Sequence, residues 1–216
     1  RLRSRGLGDV YKRQIYVLFK PLLKRKKIWL VYEKFCSMAQ DNGYYFFKYC
    51  MENLSDEEKK NIYYVIDKKA PDYEKIKEYD DHIIQFMSLK HVLYVLAAVL
   101  YVASDSRTHL YAWRCKTSLI RSKIDKRPIF FLQHGVTALK QVGPLFGRKG
   151  SSPMTYFATT SKFEQDIVVK YLDYSEAKSP ITGFTRWDVL EDTSTKDDKL
   201  IPVSYTHLTL PTNSLV

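Results

Sequence analysis

Short apolar runs alternate with helix signals along residues 28–183, and this alternation restricts the fold more than any other feature of the sequence. Apolar runs predict strands at 28–33, 62–66, 82–87, 101–104, 129–132 and 154–159, with 180–183 closing the pattern. Helices are predicted at 43–54, 72–79, 89–100 and 162–173. Repeated β-α alternation of this kind predicts an α/β fold with a Rossmann-like parallel sheet and helices on both faces.

The last predicted helix has the clearest signals. Ser161 and Glu164 form a capping-box pattern at its start. Its apolar positions predict one face that packs on the sheet, made of Phe163, Ile167, Val168, Tyr171 and Leu172.

The segment Gln133-His134-Gly135 directly follows the strand at 129–132 and is the first candidate site. Loops at the carboxyl ends of parallel strands open into the crevice where ligands bind. Gly135 lets the backbone approach a ligand closely, and His134 titrates near neutral pH, as a catalytic acid or base requires. The alternative is a hydrogen-bonded structural histidine.

A second candidate site is the run Asp41, Asn42 and Gly43, between the first strand and an aromatic helix. The free amides at a helix N-terminus attract anions, so this run is a candidate phosphate site. The alternative for Asp41 is a helix N-cap without any ligand. His91, in an apolar helix, is predicted to be an interior residue.

Both ends of the chain look like translated sequencing adaptors. The alternative is a natural basic N-terminal arm and a threonine-rich tail. DNA that can encode SRGLGDVYKRQ (Ser4–Gln14) contains a stretch whose reverse complement reads into DNA that can encode VSYTHLTLPT (203–212). We therefore assign 1–14 and 202–216 to adaptor-derived artefacts, expect them to pack poorly, and expect the native part to be an internal fragment of a longer gene product.

Charge and composition limit the classes of partner. The 1–14 segment contributes +4 to the formal net charge of +11, so the remainder keeps +7. Residues 15–27 form a basic, apolar lead-in whose lysines and apolar side chains suit an anionic membrane surface or a phosphate-rich partner; the alternative is a solvated lead-in to the first strand. No zinc-ligand spacing or RNA-binding strand is present, so nucleic acid is not expected. Three cysteines without metal-ligand spacing indicate reduced thiols.

Six segments in order carry a resemblance to a known family: IWLVYEKFCSMAQDNGYYFFKYC, YYVIDKKAPDY, MSLKH, FLQHGVTALK, TTSKFE and TGFTRWDVL. They resemble the CDP-glycerol glycerophosphotransferase family of teichoic acid biosynthesis over nearly all of residues 15–201. The resemblance implies a GT-B architecture, with 28–190 as the N-terminal, acceptor-side domain and 191–201 as the start of the crossover. The domain that holds cytidine diphosphate in the family is missing, so the isolated fragment is expected to be inactive.

The resemblance also implies a reaction. A hydroxyl of a lipid-linked polyol-phosphate acceptor attacks CDP-glycerol and CMP leaves, at the cytoplasmic face of the membrane and with no cofactor or metal. His134 matches the family's histidine and is the expected general base. Lys140 matches the lysine after the HG motif and is expected to meet phosphate; a solvated loop lysine is the alternative.

The remaining expected substrate-binding residues are Gln133, Gly135, Asp41, Asn42 and Gly43. Many family members have a tryptophan where this chain has Gln133. Arg186 and Asp188 match the family without an assigned role. Two other classes stay open: another GT-B enzyme that uses a nucleotide sugar, and a non-catalytic phosphate-binding or membrane-surface module.

Overall fold

The protein folds around one six-stranded parallel sheet. The structure is a computed structural model, and it describes residues 2–112, 119–138 and 140–191. The strands are β1 (Trp29–Tyr32), β2 (Ile62–Ile66), β3 (Ile83–Gln85), β4 (Leu100–Ala103), β5 (Ile129–Phe131) and β6 (Tyr156–Phe157). Their order in the sheet is β3-β2-β1-β4-β5-β6. This is the doubly wound Rossmann order, so the predicted fold class is confirmed.

Helices cover both faces of this sheet. The α-helices are α1 (Leu2–Arg25), α2 (Asn42–Asn53), α3 (Asp56–Lys59), α4 (Leu89–Ala97), α5 (Leu119–Asp125), α6 (Gly143–Phe146) and α7 (Lys162–Leu172). Short 3-10 turns occupy Lys34–Cys36, Pro71–Lys75, Lys77–His82, Arg107–Leu110, Glu176–Lys178 and Thr185–Val189. No helix in the described part of the chain is long and apolar enough to cross a bilayer.

The sheet separates two apolar clusters, because successive side chains of a strand point to opposite faces. Leu30 and Tyr32 of β1 pack in the cluster that contains side chains of α1, α4, α5 and α7. Val31, between them, packs in the other cluster with Phe47 of α2. All five residues of β2 are buried, as expected for a parallel strand covered on both faces.

Two helix predictions were wrong in part. The predicted helix at 72–79 is a pair of 3-10 turns that meet at Ile76, whose backbone is not helical and whose side chain is fully buried. The helix predicted at 89–100 ends at Ala97, because Ala98 adopts an extended ψ of 140° ahead of β4. In addition, α5 lies in a stretch for which no helix was predicted.

The predicted apolar face of α7 was also wrong for its two aromatic residues. Val168 and Leu172 are buried, whereas Phe163 is 70% and Tyr171 68% exposed. The side of α7 at Glu164 and Gln165 is buried instead. The helix is therefore rotated so that polar side chains, rather than the aromatic ones, meet the body of the domain.

Helix α1 runs from the predicted adaptor segment into the basic lead-in. It packs against α4 and α5, with Tyr16 and Leu23 buried. In the predicted adaptor segment, Tyr11 is exposed and the Lys12 ammonium lies 6.0 Å from the centre of the Tyr111 ring. The assignment of 1–14 to an artefact stays a prediction. Residues 192–216, which include the second predicted adaptor segment, lie outside the described residues.

Candidate functional site

The candidate site lies at the carboxyl edge of the sheet, where β1 and β4 are neighbours. The chain leaves β1 toward β2 on one side and leaves β4 toward β5 on the other, so a crevice opens between their following loops. Three loops meet there: the loop from β1 to α2, the loop after β4, and the loop after β5 that carries His134.

His134 lies between two carboxylates. Its Nδ1 is 2.5 Å from Asp41 Oδ2, and its Nε2 is 3.4 Å from Asp105 Oδ2. The His134 side chain is 48% exposed, while the two carboxylates are much less accessible. The imidazole is therefore held at both nitrogens and remains open to solvent on its surface.

The two carboxylates set the charge of His134. Burial works to lower its pKa, but the hydrogen bonds to Asp105 and Asp41 outweigh burial and raise the pKa to about 9. Burial works to raise the pKa of Asp41 and of Asp105, but their hydrogen bonds to His134 and other contacts bring both below the ordinary value. The protonated form of His134 is therefore favoured at pH 7.

Arg186 is the second partner of Asp41. Its Nη1 donates to Asp41 Oδ1 at 2.5 Å, and the Asn42 amide donates to the same oxygen at 2.8 Å. Thr185 Oγ1 donates to the Asn42 carbonyl at 2.7 Å, which attaches this segment to the start of α2. Arg186, which had no role from sequence, therefore completes a chain of contacts from Arg186 through Asp41 to His134.

Asp105 joins His134 to a second histidine. His109 Nε2 is 3.2 Å from Asp105 Oδ1, and His109 Nδ1 accepts a hydrogen bond from the Phe35 amide at 3.2 Å. The proton of His109 therefore lies on Nε2, facing the carboxylate. Burial lowers the pKa of His109, partly offset by Asp105. Sequence reasoning missed Asp105; the available signal was an acidic residue just after the strand that forms β4.

A buried glutamate fixes the loop that carries Asp41. Glu33 follows β1, and its carboxylate accepts hydrogen bonds from the amides of Gln40 (3.0 Å), Asp41 (2.9 Å) and Tyr44 (2.7 Å). Burial raises the pKa of Glu33, against these hydrogen bonds, which lower it. Three donors on one carboxylate leave the loop little freedom around Asp41.

A second buried glutamate fixes the loop that carries His134. Glu164 Oε1 accepts from the Thr137 amide at 2.6 Å and from Gln133 Nε2 at 3.1 Å. Its Oε2 accepts from the amide and hydroxyl of Thr160 at 2.7 and 2.8 Å. Ser161 caps α7 as predicted, but the Glu164 carboxylate accepts from these groups instead of completing a capping box. This use of Glu164 explains the rotation of α7.

Gln133 and Asn42 are buried, and their side chains form hydrogen bonds that fix the loops of the site. Gln133 has a positive φ of 62°, its amide nitrogen bonds to the Ala158 carbonyl, and its Oε1 accepts from Thr137 Oγ1 at 2.7 Å. Asn42 Nδ2 donates to the carbonyls of Leu132 (3.2 Å) and Gln133 (2.8 Å). Both were expected to bind substrate; in the structure their amide groups form hydrogen bonds inside the protein, and a contact with substrate stays a prediction.

The backbone amides at the start of α2 also have hydrogen-bond partners inside the protein. The Gly43 amide donates to Ser104 Oγ at 2.8 Å, while the amides on either side donate to Asp41 and Glu33. A Cβ at Gly43 would lie 3.0 Å from Glu33 Cγ and 3.2 Å from the Tyr32 carbonyl oxygen. Gly43 therefore allows close packing of α2 on β1, and these amides are not free to receive a phosphate as the sequence had suggested.

Gly135 and Lys140 are the predicted residues that face open space. Both are exposed, and no atom lies within 4 Å of a Cβ placed on Gly135. They line a cavity of about 330 Å³ together with His134. Among the described residues, no group of three or more histidine, cysteine or acidic side chains is arranged to hold a metal ion.

The sheet order and the histidine–carboxylate pair at its carboxyl edge define an α/β domain with a Rossmann-like fold and a candidate acid–base site. A family description matches residues 13–214, and the chain belongs to that family: CDP-Glycerol:Poly(glycerophosphate) glycerophosphotransferase. The resemblance seen in the sequence is thereby confirmed.

Two known proteins extend this comparison. The minor teichoic acid biosynthesis protein GgaB of Bacillus subtilis (strain 168) is 28% identical over 186 residues, which are 83% of this chain and 19% of that protein. A solved structure of a point variant of the wall teichoic acid polymerase TagF superposes with a TM-score of 0.51 at 13% identity, covering 87% of this chain and 47% of that one. The chain thus spans about a fifth of the curated relative and about half of the structural one, with which it shares the fold.

Proposed function

We propose that this chain is part of a transferase that moves glycerol phosphate from CDP-glycerol to a hydroxyl of a lipid-linked teichoic-acid-type polymer and releases CMP. The family description supplies the donor and the polymer class. The observation that carries the proposal is the pairing of His134 with Asp41 at the crevice between the two halves of the sheet. A nucleotide-sugar transferase would share the fold, but the family match favours glycerol phosphate.

In the proposed reaction, the neutral form of His134 is the base: its Nδ1–H donates a hydrogen bond to Asp41, and Nε2 carries no proton. The long contact of 3.4 Å between Nε2 and Asp105 gives way to the acceptor hydroxyl. The hydroxyl oxygen forms a bond to the β-phosphorus, the bond from that phosphorus to CMP breaks, and the hydroxyl proton moves to Nε2. The imidazolium that results is stabilised by both carboxylates.

Lys140 is the proposed cation for the phosphate groups. It is exposed beside His134, and negative charge on phosphoryl oxygens is stabilised by nearby cations. Arg186 is engaged with Asp41 and so positions the pair instead. These steps need only acid–base and electrostatic groups, and we propose no cofactor.

The test is His134→Ala in the full-length enzyme, measured as CMP release with a lipid-linked glycerophosphate acceptor. Loss of a general base lowers kcat by roughly a hundred- to ten-thousand-fold, with donor binding nearly unchanged. His91→Ala is the matched control, because His91 is fully buried and burial lowers its pKa to about 3. A His134→Ala enzyme with near-normal kcat would remove His134 from the mechanism, whereas any loss in His91→Ala should follow its thermal stability.

We further propose that α1 holds the enzyme peripherally at the cytoplasmic face of the membrane. Val17, Leu18, Phe19 and Leu22 are exposed on α1, although they are apolar. Basic residues accompany them at Lys20, Lys24, Arg25, Lys26 and Lys27. Exposed apolar side chains beside clustered cations favour an interface with anionic lipid, where the lipid-linked acceptor is presented.

A further inference from the structure

A second, larger concavity adjoins the cavity of His134. This α7 groove has a volume of about 750 Å³ and lies between residues 137–138 and 140–144 on one side and the exposed face of α7 on the other. Phe163, Ile167 and Tyr171 form its α7 wall. The wrongly predicted aromatic residues of α7 therefore line an open groove instead of the core.

The groove shares part of its wall with the candidate site. Thr137, Lys140 and Val142 line both the α7 groove and the 330 Å³ cavity that contains His134. A chain-like molecule whose end lies at His134 would therefore pass Lys140 and continue along α7.

The α7 groove carries positive charge that the protein does not neutralise. Within the described part of the chain, neither Lys140 nor Lys170 has a carboxylate within ion-pair distance, and Lys170 lies 5.1 Å from the centre of the Tyr171 ring. Asp166 is the acidic side chain on the lining, and it is 3.0 Å from Lys162. The lining thus combines two unpaired ammonium groups with apolar and aromatic surface.

We propose that the α7 groove holds the phosphodiester chain of the acceptor polymer behind its reacting hydroxyl, which deepens and rests on the proposed function. Lys140 contacts a phosphate near the reacting end, and Lys170 contacts one further along. Between them, Phe163, Ile167 and Tyr171 pack against the carbon atoms of the polyol. This alternation of cations and apolar surface matches a polymer in which anionic phosphates alternate with short carbon chains.

The proposal is tested by equilibrium binding of synthetic glycerophosphate oligomers to the 216-residue chain. The probes are a long oligomer and a single glycerophosphate unit. Lys140→Gln with Lys170→Gln should weaken binding of the long oligomer by roughly tenfold at low salt and make its salt dependence shallower, because two ionic contacts are lost. Binding of the single unit should change less, since it cannot reach both lysines.

Lys48→Gln with Lys60→Gln is the matched control, because it removes the same charge at exposed positions paired with Glu52 and Glu57. Three outcomes would each overturn the groove assignment. The control could lose as much affinity as the groove variant, the groove variant could lose as much affinity for the single unit as for the long oligomer, or the unaltered chain could fail to bind the long oligomer. The proposed function is tested separately by CMP release. If the full-length enzyme releases CMP but the double lysine variant binds the long oligomer as tightly as the unaltered chain, the groove assignment is refuted and the proposed function is not.

Discussion

His134 is held by a carboxylate at each ring nitrogen, and its protonation state controls what it can do. As a base, the ring must first lose the proton that Asp41 and Asp105 stabilise, and its pKa is raised to about 9. We therefore expect kcat/KM of the full-length enzyme to rise with pH and to level off above about 9. A rate that instead falls as pH passes through 9 would assign His134 the role of an acid.

Asp105→Asn provides the matched variant for this profile. It removes one of the two carboxylates that raise the pKa of His134 and leaves the contact with Asp41. The rising part of the profile should then move to lower pH. An unchanged profile would show that another group controls the rate.

Glu164 is expected to be the most sensitive of the supporting residues. Glu164→Gln replaces one acceptor oxygen with an amino group that faces the donors of Thr137 or Thr160. Leaving a buried donor unsatisfied costs about 1–3 kcal/mol, measured as the free energy of unfolding in urea. Glu57→Gln, on the exposed surface of α3, should change that free energy by less than about 0.5 kcal/mol. Equal effects of the two changes would contradict the role given to Glu164.

At the residue scale, the sequence predicted the parts of the site that follow directly from motifs. His134 and Asp41 were singled out, and the structure brings them into contact across 93 positions. Gln133 and Asn42 were predicted to bind substrate, and their internal hydrogen bonds were not foreseen. The amide of Gln133 bonds to Ala158 and that of Asn42 to Leu132, and both partners are distant in the chain. Spacing alone contains no information on such partners.

Strands and helices that one clear sequence pattern marks, an apolar run or a capping residue, were predicted well. Strands β1, β2 and β4 follow apolar runs, and α2 and α4 follow capping residues Asp41 and Ser88. The face of α7 could not be predicted, because two patterns compete: the aromatic residues favour one face, and the hydrogen bonds to Glu164 favour another. Four donors to a buried carboxylate outweigh the partial burial of two aromatic rings.

Helix α1 is predicted to bind the membrane surface. Vesicle flotation with protein lacking residues 1–14 should show binding that increases with anionic lipid content. Changing Lys24, Arg25, Lys26 and Lys27 to glutamine should weaken this binding, at about 1 kcal/mol for each cation near the surface. Lys48→Gln with Lys60→Gln serves as the control for net charge. The proposal is rejected if binding does not depend on anionic lipid content or is unchanged by the four substitutions.

For the whole molecule, the histidine–carboxylate cluster links stability to pH. The folded pKa of His134 is raised, so its stabilising contribution is complete below about 6.5 and is lost as pH rises through about 9. The folded pKa values of Asp41 and Asp105 are lowered, so their contribution is lost as pH falls through those values, below 3.8. Because His134 is half exposed, its contribution is at most about 1 kcal/mol.

The measurement is the difference in Tm between the unaltered chain and His134→Gln across pH. This difference should be largest between about pH 5 and 7 and should shrink toward pH 10. A difference that stays constant up to pH 10 would contradict the raised pKa of His134 in the folded state.

The doubly wound sheet has a consequence for when the site forms. Asp41 belongs to the half of the chain that builds β1 to β3, and His134 belongs to the half that builds β4 to β6. Within the sheet, the two halves join where β1 pairs with β4, in a register that aligns Trp29 with Leu100. Neither half can assemble the acid–base pair during folding, so the chain acquires its chemistry in the step that joins them, and a partly folded chain exposes no working centre.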